Sequence, residues 1–320
     1  MKDNDLLNVM IARRTDEAEG IISLELVPLP GKHLPTFGAG AHIDVHIRPG
    51  LVRQYSLSNN PEDADRYVTG ILREPNSRGG SEAVHATFVE GALIQIGQPR
   101  NNFPLLESAG HSVLLAGGIG VTPILAMAWR LHTLGASFEL HYCVRTEARA
   151  AFKALLADAP FRGRVALHID DGPAEQRFDF EKHTPSFHAG AHLYACGPGG
   201  FMNYITESAK RRGWTPDHVH MEFFSANVDV TGDAFEVYAA RSGLTITVPS
   251  DKTIAEVLLE HKVEVPLSCE QGVCGTCLTT VLEGIPEHRD LYLTDSEKMK
   301  NDRMTVCCSR AATHRLVLDI

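Results

Sequence analysis

The sequence predicts a multi-domain β and α/β protein: a small antiparallel β-barrel, then a parallel α/β module, then a C-terminal module built round a set of cysteines. Three observations carry this. Residues 6–100 hold short alternating segments broken by Pro and Gly, as antiparallel strands and their turns do. After Phe103-Pro104 an apolar strand, a Gly-rich turn and a helix are followed by further strand–helix alternation, the pattern of a parallel sheet. Near the C-terminus Cys269, Cys274 and Cys277 stand in S-C-E-Q-G-V-C-G-T-C, and Cys307 follows after twenty-nine intervening residues.

Each element follows in order. V-M-I-A-R-R-T, I-I-S-L-E-L-V, H-I-D-V-H-I and R-Q-Y-S-L-S read as strands, separated by P-L-P-G-K and R-P-G-L. The last is read as placing Arg53, Tyr55 and Ser56 on one face. There an aromatic ring can lie against a flat cofactor while Arg and Ser bind its phosphate. Ser77-Arg78-Gly79-Gly80-Ser81 offers a second phosphate cradle at the start of a helix. Taken singly, the first also reads as an ordinary edge strand and the second as a turn. S-V-L-L-A-G-G-I-G-V-T-P-I-L-A-M-A-W-R-L gives strand, turn and helix. Its turn is not G-x-G-x-x-G, but Gly117, Gly118 and Gly120 let the backbone approach a pyrophosphate. Cys196-Gly197-Pro198-Gly199-Gly200 ends a later strand, where α/β folds bind ligands. Cys196 reads equally as a neighbour of a nicotinamide or as a small buried hydrophobe. Residues 225–234 read as a linker. F-E-V-Y-A-A-R-S-G-L-T-I-T-V-P then reads as a hairpin, and T-I-A-E-V-L-L-E-H-K as a helix before the cysteine loop.

The spacing C-x4-C-x2-C…C is the plant-type pattern for a 2Fe–2S cluster. Three thiolates come from one tight loop and the fourth from a distant segment. Gly272 and Gly275 allow the loop to turn sharply and aim N–H groups at sulfur. Structural zinc is the rival reading, yet its ligands usually come as two close pairs. Seven cysteines, an odd number in a long chain, argue against a disulfide framework. A cluster of this kind carries single electrons. Cys143 and Cys308 read as buried thiols, and the sixteen His show no metal-ligand spacing.

Bulk properties narrow the function. The 320 residues are 43 % hydrophobic and 22 % charged, as in an ordinary globular protein. Net charge is −10 with no basic tract, so no nucleic acid is expected as a partner. No apolar run reaches membrane-spanning length and no signal-peptide core stands at the N-terminus, so a cytoplasmic protein with no membrane association is expected. Residues 233–320 hold fourteen Asp/Glu against nine Lys/Arg. That excess suits either docking to a basic partner or solubility.

Together, R-Q-Y-S-L-S, S-R-G-G-S, A-G-G-I-G-V-T-P, C-G-P-G-G and the cysteine set resemble the phthalate dioxygenase reductase family over nearly the whole chain, in the family's order. The resemblance implies an FMN-binding β-barrel of the ferredoxin reductase type over 1–103 and an NAD-binding α/β domain over 104–226. A linker over 227–234 and a β-grasp plant-type 2Fe–2S ferredoxin domain over 235–320 would follow. Arg53, Tyr55, Ser56, Gly79, Gly80 and Ser81 would hold FMN, with Ile71 on the strand beside the flavin ring. Gly117, Gly118, Gly120, Thr122, Cys196, Gly197 and Pro198 would form the NADH site. H-M-E-F-F resembles the family's H-x-E-x-F segment, which makes Phe224 the aromatic against the isoalloxazine, or else an apolar residue packed at a domain boundary. Thr122, Cys196 and Phe224 are thus the residues expected at the reacting ring. One departure is Cys308, where an aliphatic residue is usual; Cys307 is read as the ligand. The resemblance further implies a monomer that takes electrons from NADH through FMN and the cluster to a terminal Rieske non-haem iron oxygenase acting on an aromatic acid or aryl ether. A redox-sensing module, or a general flavin reductase with an accessory cluster, is the alternative.

Overall fold

A computed structural model describes residues 6–75, 79–226 and 228–320. The chain divides into two compact units, Lys2–Phe224 and Ser225–Ile320.

The first unit opens with six strands: β1 (Leu7–Ala18), β2 (Ile21–Pro28), β3 (His42–Arg48), β4 (Leu51–Ser56), β5 (Tyr67–Leu72) and, after α1 (Gly80–Thr87), β6 (Leu93–Ile96). They pair antiparallel in the order β4-β3-β6-β1-β2-β5. The two edges then meet. Leu57 bridges Thr69, and the Ser58 N–H donates to the Val68 carbonyl at 2.8 Å. A closed barrel leaves no edge for stray pairing. Alternation turns Val9, Ile11, Leu24, Leu26, Ile43 and Ile71 into its interior, and all six are almost fully buried.

Five parallel strands follow: β7 (His111–Gly117), then β8 (Phe138–Val144) after α2 (Val121–Thr133), and β9 (Val165–Ile169) after α3 (Lys153–Asp158). Past α4 (Phe180–His183), β10 (Ala191–Cys196), α5 (Gly199–Arg211) and β11 (Val219–Glu222) complete the sheet. Its order is β11-β10-β7-β8-β9. Strand order therefore reverses between β7 and β10, and the crevice beyond their C-terminal ends is where such sheets bind ligands. Helix α2 is apolar nearly all round because it is covered on two sides. Ile124, Leu125 and Met127 lie in one core with the sheet residues Leu114 and Leu140 and with Ile21 and Ala39 of the barrel segment.

The second unit is a β-grasp module: β12 (Phe235–Ala239), β13 (Leu244–Val248), α6 (Ile254–Glu260), β14 (Leu278–Glu283), β15 (Pro286–Glu287), α7 (Asp295–Lys298), β16 (Arg303–Thr305), β17 (Arg310–Ala311) and β18 (Arg315–Leu318). Its main sheet runs β13-β12-β18-β14-β16, with β12 and β18 parallel. The expected hairpin is β12–β13. The expected helix is α6, started by a reciprocal Thr253–Glu256 capping box. The segment read as a linker is bound to this unit over much of its length; Asn227 lies outside the described residues. Arg289 Nη1 donates to the carbonyls of Asp229 and Thr231, both at 2.6 Å. Buried Arg310 donates to Val230 at 2.7 Å and Asp233 at 2.9 Å. Two guanidinium groups thus satisfy carbonyls of this segment.

Candidate cluster cage and flavin–nucleotide cleft

The cage is built where the loop before β14 meets the segment after β16. Cys269 lies within hydrogen-bond reach of Cys274 and Cys307, and Cys307 within reach of Cys277. All seven cysteines are free thiols. Two of these thiols accept loop N–H groups: Gln271 N to Cys269 Sγ at 3.4 Å and Thr276 N to Cys274 Sγ at 3.5 Å. Such bonds tune a metal-bound sulfur. The loop needs its glycines. Gly272 and Gly275 have φ of 70° and 71°. A Cβ would strike the Cys308 sulfur at the first and the Tyr292 ring at the second. Four thiols from two segments, with glycines at the sharp turns, fit a binuclear iron cluster and lack the paired spacing of zinc. Cys308 Sγ lies beneath the loop, 3.2 Å from Thr305 Oγ1, and is also within hydrogen-bond reach of Cys307.

The cleft lies at the strand-order reversal. Gly117 ends β7 and Cys196 ends β10, side by side. A Cβ on Gly120 would strike the Cys196 carbonyl and lie 2.7 Å from Gly197 N. One on Gly117 would lie 2.8 Å from Phe201 and 3.0 Å from Pro198 Cδ. The two loops can touch only because these positions carry no side chain. Gly118 differs: its φ is 54° and space beside it is open, so its backbone is the part of the turn free to face a ligand. Thr122 is buried, its hydroxyl donating to the Ile119 carbonyl at 3.1 Å. Its methyl would lie 2.8 Å from a Cβ on Gly70 of β5, so Thr122 seals the seam with the barrel. The Cys196 thiol is fully buried and burial pushes its pKa well up. It is a neutral group here.

On the barrel side Arg53 lies across the start of α1. A Cβ on Gly80 would lie 2.7 Å from its Cγ and Nε. Gly79 precedes the helix with φ of 86°, and Ser81 Oγ accepts from Glu74 N at 3.1 Å. Arg53, Gly79, Gly80 and Ser81 are therefore brought together; Ser77 and Arg78 lie outside the described residues. Burial pushes the Tyr55 phenol up to about 12, with Arg53 acting the other way. The shared face holds for Arg53 and Tyr55 only. The β3–β4 register sets Tyr55 opposite Ile43, and Ser56 opposite His42, so Ser56 projects from the other face; adjacent strand residues cannot share one. The Ile71 side chain is in the barrel core, and its carbonyl meets His85 Nε2 at 3.0 Å. Phe224, at the end of the unit, is 38 % exposed.

Two residues of the cleft had no place in the sequence-based site. Phe201 of α5 packs on the Gly117 turn. Glu222 ends β11 beside Cys196, with the Ser56 hydroxyl within hydrogen-bond reach of its carboxyl group. Its Oε2 is buried with no partner among the described residues. Burial raises its pKa to about 8 against the Ser56 bond, which lowers it. The H-x-E-x-F resemblance had marked the segment, and only packing shows that the acid points at the barrel.

A carboxyl with a raised folded pKa is protonated more readily folded than unfolded, so stability falls as pH rises from about 4.5 toward 8. Glu222→Gln should abolish that fall. Melting at pH 6 and at pH 9 should show the unsubstituted protein losing Tm relative to the variant, by about 2–4 °C for each kcal/mol. Equal losses would mean that Glu222 is solvated.

Three comparisons bear on this geometry. The family model described as "2Fe-2S iron-sulfur cluster binding domain" matches residues 237–312. The chain is 47 % identical over 317 residues to a vanillate O-demethylase oxidoreductase of Pseudomonas sp. (strain HR199 / DSM 7063), covering 98 % of this chain and 100 % of the relative. The solved phthalate dioxygenase reductase, described as a modular structure for electron transfer from pyridine nucleotides to [2Fe-2S], superposes with a TM-score of 0.77 and 37 % identity. That match covers 100 % of this chain and 99 % of the other. An intact type IV self-sufficient cytochrome P450 monooxygenase superposes with a TM-score of 0.86 at 32 % identity. The match covers 98 % of this chain but 41 % of that longer one. Among the described residues no helix is long and apolar enough to cross a membrane.

Proposed function

This chain belongs to the phthalate dioxygenase reductase family, and on that premise we propose that it is the NADH-dependent reductase component of a two-component oxygenase. It holds FMN and one 2Fe–2S cluster and serves, as a monomer, a terminal oxygenase with Rieske and non-haem iron centres. An aromatic acid or aryl ether is the oxygenase's substrate class, in keeping with the vanillate-demethylating relative. The observation that carries the reading is the contact among thiols of Cys269, Cys274, Cys277 and Cys307 in a chain whose parallel sheet also brings two glycine turns together at a strand-order reversal.

When bound, NADH and FMN supply hydride chemistry and the cluster supplies one-electron chemistry. The chain's residues position them. Arg53, with the N–H groups at the start of α1, would hold the FMN phosphate, and Tyr55 would offer its ring to the flavin. The Gly117–Gly120 turn offers its backbone and the α2 dipole to a pyrophosphate. Thr122 and Gly70 close the seam against water, while the Cys196 thiol contributes bulk without charge. Glu222 keeps a proton on its carboxyl near neutral pH, against the Ser56 hydroxyl. Phe224 is the candidate aromatic against the flavin.

Flavin released by heat should run as FMN, and recovered FAD would refute that assignment. NADH should be preferred to NADPH by at least about tenfold in kcat/KM, a difference of about 1.4 kcal/mol. After β8 the exposed Arg145 and Arg149 flank Glu147, which pairs with Lys153, while Arg149 faces Glu19 at 3.7 Å. A 2′-phosphate would meet these acids. Comparable values for the two nucleotides would overturn the preference.

The exit face is the surface of the loop from Ser268 to Cys277. Glu270 is exposed there, and the surrounding unit carries an excess of acids. Exposed charges are screened beyond about 10 Å at 0.1 M salt. Partner reduction should therefore slow as salt rises, and Glu270→Lys should weaken it several-fold with NADH-to-flavin transfer unchanged. Indifference of partner turnover to both would place docking elsewhere.

A further inference from the structure

Among the described residues of the second unit, one acidic side chain is buried. Asp290, between β15 and α7, is 1 % exposed. Its Oδ2 accepts from the N–H groups of Leu293 at 2.7 Å and Tyr292 at 3.2 Å. Its Oδ1 accepts from the Ser309 hydroxyl at 3.4 Å. His288 Nδ1 stands 3.7 Å from Oδ1, outside hydrogen-bond reach.

These bonds close a turn over residues 290–293, and the turn bears on the three-cysteine loop. Leu291 N donates to the Gly272 carbonyl at 3.0 Å. A Cβ on Gly272 would lie 3.0 Å from Asp290 Cα, and the Tyr292 ring fills the space beside Gly275. Ser309, at the other end of the Asp290 bond, is two residues past Cys307, and its hydroxyl lies 3.2 Å from Thr305 Oγ1. Asp290 thus ties the loop that carries three thiols to the segment that carries the fourth.

We propose that Asp290 is a positioning residue for the cluster: it fixes the spacing of the two ligand segments, and its buried charge disfavours uptake of the electron. Outer-sphere groups that orient metal ligands commonly change metal retention tenfold or more when lost. A carboxylate removed from water also repels added negative charge more strongly than an exposed one. The proposal rests on the 2Fe–2S reading of the cage.

The test uses the full-length protein with flavin and cluster bound. Two quantities are read: the midpoint potential of the cluster, from titration of its electron-spin signal, and the lifetime of its visible absorption under a chelator. Asp290→Asn keeps the shape and removes the charge. It should favour the reduced form about tenfold, 59 mV for one electron, and shorten the lifetime about tenfold. Ser309→Ala keeps the charge and breaks the tie. It should shorten the lifetime several-fold and leave the potential near its original value. NADH reduction of the flavin should be unchanged in both. Unaltered potential and lifetime in Asp290→Asn overturn the proposal. So does a potential in Ser309→Ala that moves as far as in Asp290→Asn. Should Asp290→Asn assemble no cluster, Ser309→Ala decides, and an unchanged lifetime there overturns the proposal. Failure of the underlying reading looks different, since the unsubstituted protein would then lack the electron-spin signal.

Discussion

Replacing Cys307 with Ser should remove the visible absorption and electron-spin signal of the reduced cluster and lower reduction of the partner, or of cytochrome c, by at least about 100-fold. Reduction of the flavin by NADH should survive. The expectation follows from the cage, in which Cys307 is the distant member that closes a set with Cys269 and Cys277. Loss of a group that merely orients a metal ligand already costs about 10–100-fold in metal retention, and removal of a ligand should cost more. Cys308→Ser is the decisive control, because that thiol adjoins Cys307 as well as Thr305 and lies under Gly272. It should keep the cluster. An intact cluster in Cys307→Ser, together with a lost one in Cys308→Ser, would show that the neighbouring thiol is the ligand. Slow turnover with an intact cluster would instead favour a sensing role, and full activity towards the natural acceptor after removal of residues 235–320 would favour a general flavin reductase.

Gly120→Ala should have the second-largest effect, and it should fall on the other half of the pathway. The added methyl meets the Cys196 carbonyl and sits close to Gly197 N. Both are backbone atoms, so no side chain can swing aside. Overpacking of this kind costs about 1–3 kcal/mol. Here the strain is relieved by parting the two loops that frame the crevice. The kcat/KM of flavin reduction by NADH should drop about 10–100-fold, with cluster absorption unchanged. Gly118→Ala provides the contrast. Its added methyl has open space, and the cost is confined to a positive φ, about 1 kcal/mol. A Gly120→Ala protein with normal NADH kinetics, or a larger loss in Gly118→Ala, would mean that close loop contact does not shape the nucleotide site.

The features legible in the sequence are those encoded by neighbours along the chain. The C-x4-C-x2-C run needs one loop, so its three thiols come together whatever surrounds them. Alternation in I-I-S-L-E-L-V and the apolar I-L-A-M-A-W-R-L segment specify β2 and α2, because burial selects residues at the period of the element. Glycine runs mark the places where backbone must approach backbone.

Other features arise where distant segments meet. R-Q-Y-S places Ser56 beside Arg53 and Tyr55 along the chain, yet the β3–β4 register turns it to the other face, where Glu222 arrives from 166 positions away. No local pattern records that meeting. Phe201 packs on Gly117 across the same crevice. The stretch that reads as a linker is bonded by Arg289 and Arg310 from the far end of its unit. The order of the modules, the cysteine spacing and the glycine turns are legible along the chain, because short-range spacing and burial period encode them. The tertiary structure decided which face each polar group takes, which acid is shut away from water and which carbonyls the arginines satisfy, because those depend on contacts between residues far apart in the chain.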